Sequence, residues 1–301
     1  MSIAQQITQG LRGKWHGIYG MVCCPVHNDR TPSLKISDSR ESELLVYCFG
    51  GCDWRDVKDE LRRLGFLEEW IGSQDASARH SDSSQHKLSV DKLEKQRAEV
   101  GILKAKSVYA LTKPVTETLV PVYLRSRGIT GLLPPSIRGM DKLYHSPSGQ
   151  LYPAMVAAVC AWPGQEVSGI HRTYLSSDGL GKAGTSRDKM MLGCCSGGAV
   201  RLGPVGDLLA VTEGIETGLS VMQSMNIPTW AALSAGGIIA LKLPPVQITS
   251  RIVIFADNDP VGIGAANTAA EKWRADGHEV TIALPPTPGT DFNDAAKGGV
   301  L

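Results

Sequence analysis

Between Leu208 and Leu284 short apolar runs alternate with helical stretches, and this alternation confines the region to a parallel α/β sheet. Leu208-Leu209-Ala210-Val211-Thr212 reads as a buried strand ending at Glu213-Gly214, where a helical pattern opens and runs through Met225. Thr229-Trp230-Ala231-Ala232 is a second strand candidate. Arg251-Ile252-Val253-Ile254-Phe255-Ala256 delivers Asp257-Asn258-Asp259-Pro260 to a strand end, ahead of an alanine-rich helix reaching about Ala275, and Glu279-Val280-Thr281-Ile282-Ala283-Leu284 closes the series. Sheets of this kind bind ligands beyond the carboxyl ends of their strands, so Glu213, Asp257 and Asp259 are expected on one rim. Asp291-Phe292-Asn293-Asp294 follows the last strand and can bring two more carboxylates to it.

Gathered carboxylates repel one another unless a cation neutralises them. Mg²⁺ takes oxygen ligands, keeps several waters, and is held by one or two carboxylates plus substrate phosphates. In phosphoryl transfer such an ion stabilises the attacking and leaving oxygens while a nearby glutamate manages a proton. Taken singly, Glu-Gly or Asp-x-Asp is as well explained by a helix cap or a turn; order, spacing and strand-end placement make the set.

Glu213-Gly214 followed by Asp257-x-Asp259 on successive strand ends resembles the Toprim domain of primases and topoisomerases, and the Asp291-Phe292-Asn293-Asp294 ending resembles its plasmid and phage primase branch. The resemblance implies that Glu213 is a general acid/base and that Asp257 and Asp259 bind metal, so these three are the expected catalytic residues. Glu213, Asp257, Asp259, Asp291 and Asp294 are the expected ligands of Mg²⁺ or Mn²⁺.

The amino-terminal region carries a different metal pattern. Seven cysteines stand at positions 23, 24, 48, 52, 160, 194 and 195, an odd number that favours metal binding or thiols over disulfides in a cytoplasmic chain. Cys24-Pro25-Val26-His27 and Cys48-Phe49-Gly50-Gly51-Cys52 offer two short ligand pairs, three thiolates and an imidazole, which suits a tetrahedral structural zinc site. Cys23 could also reach the metal; the two-residue gap to His27 favours Cys24. The stretch from Cys24 through Asn28-Asp29-Arg30-Thr31-Pro32-Ser33-Leu34, leading to Tyr47-Cys48-Phe49-Gly50, resembles the zinc finger of bacterial and phage primases. It departs from that pattern at the second pair, where three residues intervene in place of two. The resemblance implies a role in selecting single-stranded template, for which Lys14, Trp15, Arg30, Lys35 and Tyr47 could supply phosphate contacts and stacking. After Cys52, Trp54, Val57, Leu61 and Leu64 recur at helical spacing, predicting a helix packed on the knuckle.

These signals divide the chain into a zinc-binding domain over 1–72, a flexible linker over 73–88 rich in Ser, Asp and Gln, a basic lobe over 89–205 and a Toprim catalytic domain over 206–301. Leu88 to Leu111 is expected as a surface helix. In the basic lobe Tyr152–Val159 and Gly169–Leu175 read as a hairpin turning at Trp162-Pro163-Gly164. The lobe resembles the basic half of a primase core, which implies that Arg172 and Lys189, with Lys182 and Arg187 behind them, line the nucleic-acid and nucleotide groove. His171 reads as a packing residue, the adjacent Cys194 and Cys195 as structural, and Ser234-Ala235-Gly236-Gly237 as a phosphate contact through backbone amides that lacks the lysine of a P-loop.

The expected fold class is α/β: a small zinc-ribbon-like amino-terminal domain, a mixed α+β basic lobe, and a Toprim domain whose parallel sheet is flanked by helices. A net charge of +1 leaves any nucleic-acid surface to local clusters. No secretory signal or membrane-spanning run is visible, so a cytoplasmic location without membrane partners is expected. Together the resemblances imply a DNA primase that joins nucleoside triphosphates on single-stranded DNA, with structural Zn²⁺, catalytic Mg²⁺ or Mn²⁺, and any replicative helicase supplied in trans or by a segment outside this sequence. Two alternatives share the same motifs: a non-enzymatic zinc/Toprim recombination mediator, and a Toprim nuclease.

Overall fold

The computed structural model describes residues 2–27, 32–39, 44–49, 52–67 and 80–298, and divides into two compact units, Met1–Ser84 and Gln85–Leu301. In the first, α1 (Ile3–Gly10) is capped by Ser2 and precedes an antiparallel sheet of β1 (Lys14–Trp15), β2 (Gly20–Val22), β3 (Leu34–Asp38) and β4 (Leu44–Cys48), in that order, followed by α2 (Trp54–Arg63). Alternation along β3 and β4 sends Leu34, Ile36, Leu44 and Cys48 inward, where they meet Ala4 and Ile7 of α1 and Val57 and Leu61 of α2. Of the apolar residues expected to pack from this helix, Val57 and Leu61 do so. Trp54, next to the cap Asp53, and Leu64, at the helix's end, stay exposed because the helix face turns away at both ends. The core of this unit is small, as in domains that draw folding energy from a metal.

Of the expected linker over 73–88, residues 73–79 lie outside the described residues, and from His80 the chain is helical in α3 (His80–Ala110), which begins eight residues before Leu88. The second unit continues through α4 (Val120–Ser126), β5 (Ile137–His145), β6 (Gln150–Ala161), β7 (Gly169–Tyr174), β8 (Lys189–Gly193) and β9 (Gly198–Arg201). It ends with β10 (Leu208–Thr212), α5 (Ile215–Met225), β11 (Thr229–Ala231), α6 (Ala235–Ala240), β12 (Arg251–Phe255), α7 (Pro260–Ala275), β13 (Glu279–Ala283) and α8 (Phe292–Lys297).

Among the described residues, the nine strands of this unit join one sheet in the order β13-β12-β10-β11-β9-β6-β7-β8, with β5 paired to β6. β13, β12, β10 and β11 are parallel, and the rest of the sheet is antiparallel from β11 onward. The expected hairpin is β6–β7; β5, unseen in the sequence, pairs on the other side of β6. Alanines 266, 269 and 270 let α7 lie close on Leu209, Val211, Ile252 and Ile254, with Trp230 and Trp273 filling the layer between. On the opposite face α4 and α5 pack against Met155, Ala157 and Val200. Among the described residues no helix is long and apolar enough to cross a membrane.

Candidate active site and metal centre

In the first unit, Cys24 is buried while Cys23 is exposed, and it is Cys24 that belongs to the cluster. One ligand atom from each of Cys24, His27, Cys48 and Cys52 lies within 4.8 Å of the others. His27 Nδ1 stands 3.0 Å from Cys52 Sγ and 3.9 Å from Cys48 Sγ, and Cys52 reaches the set across its longer gap. Tetrahedral zinc with bonds of about 2.3 Å to sulfur sets donors roughly 3.8 Å apart, so the set fits that ion. Burial first, and then the neighbouring Cys48, push the Cys24 thiol up to about 12. A bound cation would reverse this, since coordinated thiols deprotonate. Of the residues expected to touch template, Lys35 lies 4.7 Å over the Tyr19 ring, Tyr47 is exposed and stacks edge-on with Phe49 at 5.0 Å, and Arg30 lies outside the described residues.

The second unit places its carboxylates by register. Thr212 pairs with Phe255, so Glu213 and Asp257 emerge side by side where β10 and β12 end. Phe292 packs edge-on against Phe255 with ring centroids 5.0 Å apart, docking α8 so that its cap, Asp291, arrives at the same end. A Cβ at Gly262 would sit 2.6 Å from the Asp257 carbonyl oxygen, so glycine is needed where α7 passes this loop. Asp259 is an exposed cap of α7 whose Oδ1 accepts from the Gly262 amide at 2.7 Å.

A pocket opens over these strand ends. Glu213, Glu216, Asp257 and Asp291 line it together with Arg127, Lys182, Lys189 and His171, so carboxylates and cations share one cavity. Burial raises the Glu213 pKa, and the charges of Asp257 and Asp259 raise it further, against Lys189. Asp257 is pushed up to about 6, by burial and then by Asp291 and Asp259, with Lys189 opposing and Asp294 adding. Asp257 Oδ1 is buried without a hydrogen-bond partner. Crowded oxygens of this kind fit a hard divalent cation. Among the described residues only the Cys/His cluster is gathered as a compact ligand set, so an ion here would take Glu213, Asp257 and Asp291 together with water or phosphate oxygens.

Two residues expected at the site are turned elsewhere. Ile170, Arg172 and Tyr174 share the face of β7 that packs under α3, whereas His171 and Thr173 share the pocket face, where Thr173 pairs with Lys189. Arg172 accordingly donates to the Met191 carbonyl at 2.9 Å and the Tyr174 hydroxyl at 3.3 Å, and it is His171, not Arg172, that reaches the pocket. Asp294 is exposed and faces Arg127 across 3.8 Å instead of lining the pocket. Of the weaker basic candidates, Lys182 lines the pocket, while Arg187 contributes its carbonyl to His145 Nε2 at 3.0 Å. Ser234 caps α6 by accepting from the Gly237 amide at 2.9 Å, so that loop closes on itself.

Three contributors were not legible as site residues. His171 is almost wholly buried; burial first, then Lys189, hold its ring down to about 4, so it is neutral, and its Nδ1 has no partner. Glu216, three residues past Glu213, accepts from Tyr123 Oη at 2.8 Å and from Lys189 Nζ at 3.0 Å. Burial acts to raise the Glu216 pKa, but the Lys189 charge and the hydrogen bonds outweigh it and hold the carboxyl down to about 2. Arg127, in the basic run before Gly128, is fastened by Asn293, whose Nδ2 donates to the Arg127 carbonyl and to Ser220 Oγ, each at 2.8 Å. Unpartnered buried atoms of Arg127, His171 and Asp257 thus all belong to residues lining one pocket.

Comparison with known proteins gives two family matches. Residues 208–299 match the Toprim domain, and this part of the chain is a Toprim domain. Residues 101–202 match a family described as a domain of unknown function (DUF7146). No curated protein matches the chain. Among solved structures, the chain is similar to the zinc-binding and RNA polymerase domains of the Aquifex aeolicus primase, at 16% identity and a TM-score of 0.40, over 100% of this chain and 80% of that one. It is also similar to a DNA primase domain from Pseudomonas aeruginosa, at 14% identity and a TM-score of 0.44, over 65% and 74%. The primase fragment of the bacteriophage T7 primase-helicase matches at 15% identity and a TM-score of 0.40, over 63% and 71%.

Proposed function

We propose that this chain, whose residues 208–299 are a Toprim domain, is a DNA primase that joins nucleoside triphosphates into short primers on single-stranded DNA. The observation that carries the reading is the pocket that Glu213, Asp257 and Asp291 line together with Arg127, Lys182 and Lys189. Charges of both signs around one cavity suit a polyphosphate that is bound by metal and by protein cations together.

In the reaction the 3′-hydroxyl oxygen of a primer or first nucleotide attacks the α-phosphorus of an incoming triphosphate. The bond to the bridging oxygen breaks, and pyrophosphate leaves. Glu213, whose raised pKa suits proton exchange, accepts the hydroxyl proton. Lys182, Lys189 and Arg127 offset the phosphate charge, and the neutral His171 offers Nδ1 to the same space. Mg²⁺ or Mn²⁺ held by Asp257, Glu213 and Asp291, with Asp259 and Asp294 adding charge from outside, would supply Lewis-acid neutralisation of the phosphates. Zinc held by Cys24, His27, Cys48 and Cys52 would have a structural role. A replicative helicase is a candidate partner, and the setting is phage, plasmid or mobile-element replication in the cytoplasm.

Incubation with single-stranded DNA, labelled nucleotides and Mg²⁺ or Mn²⁺ tests the reading. Short template-dependent products support it. Cleaved DNA would instead identify a nuclease, and binding without chemistry a recombination mediator.

A further inference from the structure

We propose that Glu216 is a positioning residue which, through a Tyr123–Glu216–Lys189 hydrogen-bond chain, holds the Lys189 ammonium beside the carboxylates of the pocket; the role of that ammonium in nucleotide use rests on the primase reading. Both carboxylate oxygens of Glu216 are committed, Oε1 to the Tyr123 hydroxyl at 2.8 Å and Oε2 to Lys189 Nζ at 3.0 Å. The Glu216 side chain is 6% exposed and that of Lys189 is 39% exposed, so the pair spans the boundary between core and pocket, its anionic end inside and its cationic end at the opening.

Three elements meet in this chain: α4 supplies Tyr123, the first turn of α5 supplies Glu216, and β8 supplies Lys189 at its first residue. A purely packing role at position 216 would be filled as well by an apolar side chain, because burying an ion pair seldom adds stability over a hydrophobic replacement. What the carboxylate adds is geometry. A lysine is a point charge on a flexible four-carbon stem, and at the edge strand β8 nothing else described fixes its head. Anchored, it bears on Glu213 and Asp257, whose charge it offsets, and on the ring of His171. Both glutamates line the pocket, and Glu216 is the one hydrogen-bonded to Lys189 there.

The test uses the full chain and Glu216→Gln, which keeps the side-chain shape and a partner for Tyr123. Nucleotide kcat/KM in primer synthesis is expected to fall roughly ten- to a hundredfold, the range seen when residues supporting a catalytic group are removed. Because Glu216 acts through Lys189, adding Glu216→Gln to Lys189→Met should cost nothing further, whereas independent roles would multiply. Acylation of Lys189 by an amine-reactive ester, followed by mass spectrometry, reads the anchor without activity; it should run several-fold faster in Glu216→Gln than in the native chain. Full kcat/KM in Glu216→Gln while Lys189→Met is inactive, multiplied losses in the double variant, or an unchanged acylation rate would each overturn the proposal. A native chain that makes no primers while Glu216→Gln still speeds acylation removes the primase reading and leaves the hold of Glu216 on Lys189 standing.

Discussion

Asp257→Asn should stabilise the second unit while abolishing its chemistry. Burial and the neighbouring Asp291 and Asp259 raise the Asp257 carboxyl from 3.8 to about 6 in the absence of a catalytic ion. A carboxyl whose folded pKa exceeds its unfolded pKa favours the fold only while protonated. Its contribution is fully present below about pH 4 and is lost as pH rises through 6, so at pH 7.5 the ionised group works against folding. A shift of about two units corresponds to roughly 3 kcal/mol; Asp257 is only partly buried, and screening reduces this to about 1–2 kcal/mol. For a unit of this size that is roughly 2–8 °C in melting temperature. The assay is thermal unfolding of zinc-loaded protein in buffer without magnesium or manganese, at pH 7.5 and at pH 4. Asp257→Asn should melt higher at pH 7.5, and the difference should vanish near pH 4. Saturating Mn²⁺ should raise the native midpoint and leave the variant's unmoved. A variant that melts at or below the native temperature at pH 7.5 would refute the electrostatic account of this pocket.

Other expectations follow from the same contacts. Cys48→Ser should release one zinc per chain, measured by metal analysis, and unfold the first unit, since the small core there surrounds the ligand set. Asn293→Ala removes the hydrogen bonds that this fully buried side chain donates to the Arg127 carbonyl and Ser220 Oγ, so it should cost about 1–3 kcal/mol in denaturant unfolding and raise the nucleotide KM by loosening Arg127.

The strand ends were legible because periodicity and register are local: an apolar run of five residues ending in Glu213 or in Ala256-Asp257 fixes where a carboxylate emerges. The Cys/His set was legible because ligand spacing is chemistry written in the chain, although the choice between Cys23 and Cys24 needed the fold, which buries one and exposes the other. The parity of β7 was not. Both faces of that strand are covered, with Ile170 and His171 alike buried, so alternation alone could not say whether His171 or Arg172 meets the pocket. Charge pointed to the arginine, and packing under α3 claimed it. Glu216 looked like an ordinary first-turn acid because its partners lie 27 and 93 residues away. Asn293 was hidden for the same reason, its contact with Arg127 closing across 166 residues. The start of α3 at His80 escaped a reading that took Ser, Asp and Gln to mean a linker.

Primer synthesis by the native chain beside Asp257→Ala bears most directly on the central claim. On single-stranded DNA with labelled nucleotides and Mg²⁺ or Mn²⁺, the native chain should make short products and the variant, folded by its melting curve, none. Equal synthesis by both would contradict the proposed centre, and cleavage of the template by the native chain would contradict the primase itself.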